Sequence, residues 1–238
     1  GLTVLTDRAA LAPAIAGRGP AALARDGTEL LARFADALIG PGADLIHLRC
    51  QSLWGLEPAA GQVIRRALVL LSDHELNPST FAVRVCASTG ASLAACALAG
   101  LATLSGPKHG GVAGKTLEGL RAARSGQFAA FVEAHAGLSP YGYGFGHPLY
   151  SSGDPRAETL LNVLDTDVAR TIAEMSAFLG VPPNIDAALA AITCSYDLPK
   201  DAAFMIFALA RMTGWIAHAI EQSQNGQMIR PRARFEPK

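Results

Sequence analysis

Four runs of this chain place apolar residues three and four positions apart: GTELLARFADALIG from Gly27, GQVIRRALVLLSDHEL from Gly61, LLNVLDTDVARTIAEMSAFLG from Leu160 and AAFMIFALARMTGWIAHAIEQSQ from Ala202. That spacing is the period of one face of an α-helix. Alternating patterns long enough for a strand are absent, so the expected fold class is all-α. Breaks fall at Gly40-Pro41-Gly42, Asn77-Pro78, Gly106-Pro107, the glycine-rich stretch 140–147 and Val181-Pro182-Pro183, where proline cannot continue a helix and glycine ends one. With 238 residues, half of them hydrophobic, such helices can bury a substantial core.

Twenty Lys and Arg balance twenty Asp and Glu. No global field therefore favours nucleic acid, an acidic polymer or a membrane surface as partner, and any anion site must be local. Cys50, Cys86, Cys96 and Cys194 show no metal-ligand spacing, which reads as free thiols in a reducing cytoplasm, with no metal site. The first twenty residues, interrupted by Asp7, Arg8 and two prolines, do not read as a signal peptide. Phe81 to Leu104 is long and apolar, but its apolarity comes from Ala and Gly and it carries Arg84. The expectation is a helix buried inside a soluble protein rather than a membrane span.

Four polar segments interrupt the helices. DHELNPST (73–80) supplies ordinary N-cap residues in Asn77 and Ser79, which leaves His74 unexplained. GPKHGG (106–111) surrounds His109 with glycines, which permit left-handed backbone and close approach of a ligand; the plain alternative is an interhelical loop. PYGYGFGHPLY (140–150) alternates glycine with aromatic residues ahead of His147, an arrangement that exposes backbone N–H groups or is simply a flexible loop. In PPNID (182–186), Asn184 or Asp186 is an N-cap by ordinary base rates. Imidazoles and a carboxylate can manage protons, and arginines at 156, 211 and 230 suit a polycarboxylate.

These segments resemble the citrate synthase family in order and interval. GPKHGG is similar to its GPLHGG, GFGHPLYSSGDPRA to its GFGHRVY…DPRA, DHELNPSTFAVRVCAST to its HELNASTF…R…AST, and PPNIDAAL to its PNVDF segment. The ending FALARMTGWIAHAIEQSQNGQMIRPRARF resembles the family's F…SR…GW.AH..EQ…..IRPR.RY. The resemblance implies a citrate synthase-like multi-helix fold, with a large helical domain (1–110 plus 197–238) and a smaller inserted one (111–196) closing over a cleft. It also implies an acyltransferase that condenses acetyl-CoA with oxaloacetate to give citrate and CoA. Carried over by position, His109 would bind the thioester oxygen, Asp186 would remove a methyl proton, and His147 would polarise the ketone. His74, Arg156, Arg211 and Arg230 would bind the dicarboxylate, Arg230 reaching in from the partner subunit of a homodimer. Gly144, Phe145, Gly146 and Asn184 would lie along CoA.

Two departures stand out: PYGYGFGH is longer than the usual PGFGH, and Pro148 replaces a frequent arginine. The alternatives are 2-methylcitrate synthesis, citryl-CoA cleavage, or a non-catalytic ligand-binding relative. Neither metal nor cofactor is expected, acetyl-CoA being a substrate. His218 is expected to be a helix-packing histidine bonded to backbone or Glu221, and Trp215 and Phe207 to be core.

Overall fold

The computed structural model describes residues 2–164 and 166–235. It is all-α: among these residues there are twelve α-helices and one 3₁₀ turn, and no strand. In chain order they are α1 (Leu2–Leu11), α2 (Pro20–Ile39), α3 (Ile46–Leu53), α4 (Pro58–Leu71), α5 (Pro78–Ser88), α6 (Leu93–Leu104), α7 (Val112–Arg124), α8 (Phe128–Ala134), the 3₁₀ turn (Pro140–Tyr143), α9 (Pro155–Leu161), α10 (Thr166–Leu179), α11 (Ile185–Ser195) and α12 (Ala202–Gln224). Helices α4, α5 and α9 begin with proline at the first position, where its missing N–H would be unbonded anyway. The periodic run from Leu160 forms two helices rather than one, because Leu161 ends α9 and a new helix with an acidic first turn opens at Thr166.

The chain divides into two compact units, Gly1–Leu38 with Asp73–Leu104 and Arg211–Lys238, and Ile39–Ser72 with Ser105–Ala210. This partition by packing differs from the one the resemblance implies: residues 39–72, 105–110 and 197–210 group with 111–196.

In the first unit α5 and α6 pack closely around Trp215, which is fully buried and donates its indole N–H to the Ser79 hydroxyl at 3.3 Å. Gly100 permits the approach: a Cβ there would lie 2.7 Å from Val83 Cγ2 and 2.8 Å from the Trp215 ring. The apolar stretch from Phe81 to Leu104 is not one helix. Gly90, at φ +81°, turns the chain between α5 and α6, and helices of 11 and 12 residues reach only about 18 Å, short of the roughly 30 Å of a bilayer core. Helix α12 is long and apolar enough to cross a membrane by length and composition, but most of its apolar stretch is buried inside the protein.

The second unit is built around α11. Every residue from Ile185 to Thr193 is buried, as the small, nearly uninterrupted apolar sequence IDAALAAIT requires, since a helix that is apolar on all sides must be enclosed. Helices α7, α9 and α10 pack against it.

Candidate active site

Asp186 lies one turn or less from the start of α11, yet it is not the cap. Asn184 is the N-cap, its Oδ1 accepting the Asp186 N–H at 2.9 Å. The Asp186 carboxyl is 6 % exposed and its Oδ1 has no hydrogen-bond partner. Burial, only partly offset by the positive charge of Arg156 and reinforced by the negative charge of Asp154, raises its pKa to about 7. A carboxyl of that kind is poised to exchange a proton near neutral pH.

Asp154 organises what surrounds it. It caps α9 by accepting the Arg156 N–H at 3.0 Å, and it accepts the Ile185 N–H at the start of α11 at 3.1 Å. The Arg156 guanidinium grips the same carboxylate through Nε (2.9 Å to Oδ1) and Nη2 (2.7 Å to Oδ2). Burial alone would raise the Asp154 pKa, but the Arg156 charge and these N–H donors outweigh it and hold the group below the ordinary carboxylate value. One carboxylate thus joins two helix starts and the Arg156 guanidinium. Asp154 is not among the residues the sequence singles out; the Asp-Pro that opens α9 marks it as a cap, but not as the partner of Ile185.

His147 follows the loop of alternating glycines. The Leu149 N–H donates to its Nδ1 at 3.2 Å, so the proton of the neutral ring sits on Nε2. The imidazole lies between Tyr150 (ring centroids 4.9 Å apart) and Tyr141 (6.3 Å), and the Arg156 guanidinium carbon sits 5.7 Å from the Tyr150 ring centre. Tyr141 is raised by burial first and then by the Asp186 charge, which places its phenol in the field of the same carboxyl.

The loop does not present bare backbone donors. The N–H groups of Gly144, Phe145 and Gly146 donate to Tyr141 O, Pro140 O and Pro182 O, at 3.1, 3.1 and 2.7 Å. Asn184 completes the clamp, its N–H donating to Gly144 O at 2.9 Å and its side-chain Nδ2 to Gly146 O at 2.9 Å. Phe145 is fully buried. The glycines serve conformation: Gly144 and Gly146 are left-handed at φ +84° and +76°. The expectation of exposed N–H groups fails because the carbonyls of Pro140 and Tyr141 in the preceding turn take up two of them and the Pro182 carbonyl takes the third.

His109 is half-buried on a turn in which its own N–H and that of Gly111 both donate to Gly106 O, at 3.0 and 3.2 Å. Phe207 meets its ring edge-on at 5.9 Å. Gly111 is right-handed (φ −71°), not left-handed as expected; glycine is needed because a Cβ would lie 2.8 Å from Pro107 Cα. The turn feeds directly into α7, which packs on α11.

The other expected dicarboxylate ligands, His74, Arg211 and Arg230, belong to the other unit. His74 sits half-buried between α4 and α5, beside Glu75 in the left-handed region (φ +50°). Arg211 is 1 % exposed within α12, and Arg230 is exposed on the irregular segment that follows it. His218 is not a simple packing histidine: Arg84 and Asp73 flank its two ring nitrogens, with Glu221 3.9 Å from Nδ1. Trp215 and Phe207 are core as expected. No group of three or more His, Cys, Asp or Glu side chains suited to a metal ion occurs among the described residues.

An all-helical protein with a buried carboxyl of raised pKa beside a buried arginine is the class that fold and site define. Its family follows from comparison: the family model "Citrate synthase, C-terminal domain" matches residues 33–232, and the chain belongs to the citrate synthase family. It is similar to citrate synthase 2 of Bacillus subtilis, 35 % identical over 199 residues that cover 77 % of this chain and 54 % of that protein. It is also similar to the citrate synthase of Haloferax volcanii, 31 % identical over 222 residues, 85 % of this chain and 58 % of that one. The chain thus spans little more than half the length of these relatives. Its fold matches the citrate synthase of Thermoplasma acidophilum, solved as a ternary complex with carboxymethyl coenzyme A and oxaloacetate, at a TM-score of 0.77 and 23 % identity, covering 100 % of this chain and 72 % of that one.

Proposed function

We propose that this chain carries the chemistry of a citrate synthase: acetyl-CoA, oxaloacetate and water give citrate and free CoA. The observation that carries the reading is Asp186, a buried carboxyl whose unpartnered Oδ1 and pKa of about 7 suit a base for a weakly acidic methyl group. Asp186 takes a proton from the acetyl methyl while His109 hydrogen-bonds the thioester oxygen, where negative charge gathers. A donor preorganised at such an oxygen lowers a barrier by about 3 to 4 kcal/mol. The enol carbon then attacks the ketone carbon of oxaloacetate, and the new alkoxide takes its proton from Nε2 of His147. Water cleaves the resulting citryl thioester to citrate and the CoA thiol.

His74, Arg156, Arg211 and Arg230 bind the dicarboxylate in this scheme. Arg156 is well suited, since the Asp154 pairing uses Nε and Nη2 and fixes the plane in which Nη1 meets a substrate oxygen. The exposed position of Arg230 supports its reaching a partner subunit in a homodimer. CoA lies along residues 144–146 and Asn184, and the scheme requires neither metal nor redox cofactor. The free thiols and the absence of a strong charge bias are compatible with a cytoplasmic setting.

The test is thiol release with oxaloacetate and, side by side, acetyl-CoA and propionyl-CoA, together with cleavage of citryl-CoA. Oxaloacetate-dependent release from acetyl-CoA is expected. Faster turnover of propionyl-CoA or citryl-CoA would replace the substrate assignment, and oxaloacetate binding without any thiol release would make the chain a non-catalytic relative.

A further inference from the structure

His218 lies outside every role given above, and its hydrogen bonds fix its chemistry. Arg84 Nη1 lies 2.9 Å from Nδ1. A guanidinium can only donate, so Nδ1 holds the lone pair and Nε2 holds the proton, which is donated to Asp73 Oδ1 at 3.1 Å. Arg84 is itself fixed: Nε donates to Gln222 Oε1 at 3.1 Å, and Nη1 also pairs with Glu221. Gln222 is 3 % exposed, and its Nε2 donates to Asn225 Oδ1 (3.0 Å) and Gln227 O (3.1 Å). A continuous line of oriented bonds therefore runs from the end of α12 through Arg84 and His218 to Asp73.

Asp73 immediately precedes His74. On the other side of that histidine, Glu75 is held at φ +50° and Asn77 Nδ2 donates to the His74 carbonyl at 3.1 Å. A left-handed non-glycine residue is strained and persists only where neighbours over-determine it. The Asn77 bond pins one flank and the His218 bond the other.

We infer that His218 is a positioning residue for substrate binding: aligned by Arg84, its imidazole holds Asp73 and so fixes the backbone that presents His74. The inference rests on the proposed reading of His74 as a ligand of the ketodicarboxylate. The bond to a half-exposed Asp73 adds little to global stability; its effect is on where one backbone segment sits.

Calorimetric titration of oxaloacetate into the unaltered chain comes first, and absence of binding there would remove the functional reading and this inference with it. Given binding, KM is measured for oxaloacetate and acetyl-CoA in His218→Leu, His218→Gln, Asp73→Ala and the double variant Asp73→Ala/His218→Leu. His218→Leu is expected to raise KM for oxaloacetate by about 10-fold or more, as loss of an orienting partner does, with KM for acetyl-CoA unchanged within about twofold. Gln offers an amide acceptor and donor and should restore most of the loss. The double variant should be no worse than the single ones, because both remove one bond. Asp73→Ala, in an exposed position, reports even if His218→Leu does not fold. Additive effects, or an equal rise in both KM values, would overturn the inference, as would a long-range ¹H–¹⁵N spectrum showing the proton on Nδ1.

Discussion

Asn184 accepts the Asp186 amide at 2.9 Å, and that one bond leaves the carboxyl two residues further along free of the capping duty its position suggests. An aspartate in the first turn of a helix ordinarily gains from the free N–H groups and the helix dipole. Here Asn184 serves one amide and Asp154 serves another, so Asp186 is enclosed without a bond to Oδ1.

The consequence for Asp186→Asn has two parts. Turnover should fall by about 10³-fold, in the range of a lost general base, and kcat/KM of the parent should rise with pH through about 7, as the carboxyl ionises. Stability should move oppositely. The folded state holds its proton to about pH 7 while the unfolded carboxyl releases it near 3.8, so the folded chain binds more protons in that window and the parent loses stability as pH rises through it. Three pKa units correspond to about 4 kcal/mol. Denaturant unfolding at pH 5 and pH 8 should show the advantage of Asp186→Asn widening at the higher pH; a constant difference would mean that burial does not perturb this group.

Asp154 behaves the other way. Its folded pKa lies below the ordinary 3.8, so its contribution is fully present above that value and is lost as pH falls through the folded pKa beneath it. Asp154→Ala leaves the Arg156 charge and the Ile185 N–H without a partner in a site where the carboxylate is 2 % exposed. A loss of about 3 to 5 kcal/mol at neutral pH is expected, the magnitude for breaking a buried pair. Unfolding of the two proteins at pH 7 measures it.

The two left-handed glycines of the loop separate conformation from space. At Gly146 a Cβ would meet nothing within 4 Å, whereas at Gly144 it would lie 2.9 Å from the Ala187 amide nitrogen and 2.7 Å from Thr116 Oγ1. Gly146→Ala should therefore cost only the left-handed term, about 1 to 2 kcal/mol. Gly144→Ala should cost more and should displace the start of α11, lowering turnover as well as melting temperature. Equal losses would mean the loop relaxes around the added methyl.

Helices were legible from period alone where one face is apolar, as in the run from Ala202 to Gln224, which is α12 to the residue. The split at Leu161 was not, because a short turn between α9 and α10 leaves the three-and-four spacing intact on both sides. Nor was Gly90, where one left-handed residue makes two helices of an apolar stretch that reads as one. At the site, His147 and Asp186 could be named from their segments. The role of Asp154 could not, because it depends on Ile185 lying 31 positions away in sequence and at hydrogen-bond distance in space. Beside His109, Gly111 is required by the close passage of Pro107 and not by a left-handed backbone.

That difference makes Gly111 a test of how His109 is held. An added methyl would sit 2.8 Å from Pro107 Cα and 3.2 Å from Gly106 O, both backbone atoms of the turn whose carbonyl receives the His109 amide. Neither can rotate away, so Gly111→Ala must open the turn and move the imidazole. A displacement of about 1 Å in a catalytic group can lower turnover by about 10²-fold, so kcat should fall well beyond what the change in melting temperature would suggest. Gly114, three residues further on in α7, has open space at its Cβ position. Gly114→Ala should raise stability by about 0.5 to 1 kcal/mol through helix propensity and leave kcat unchanged. If Gly111→Ala keeps full turnover while Gly114→Ala behaves as stated, the turn at Gly106 does not set the position of His109.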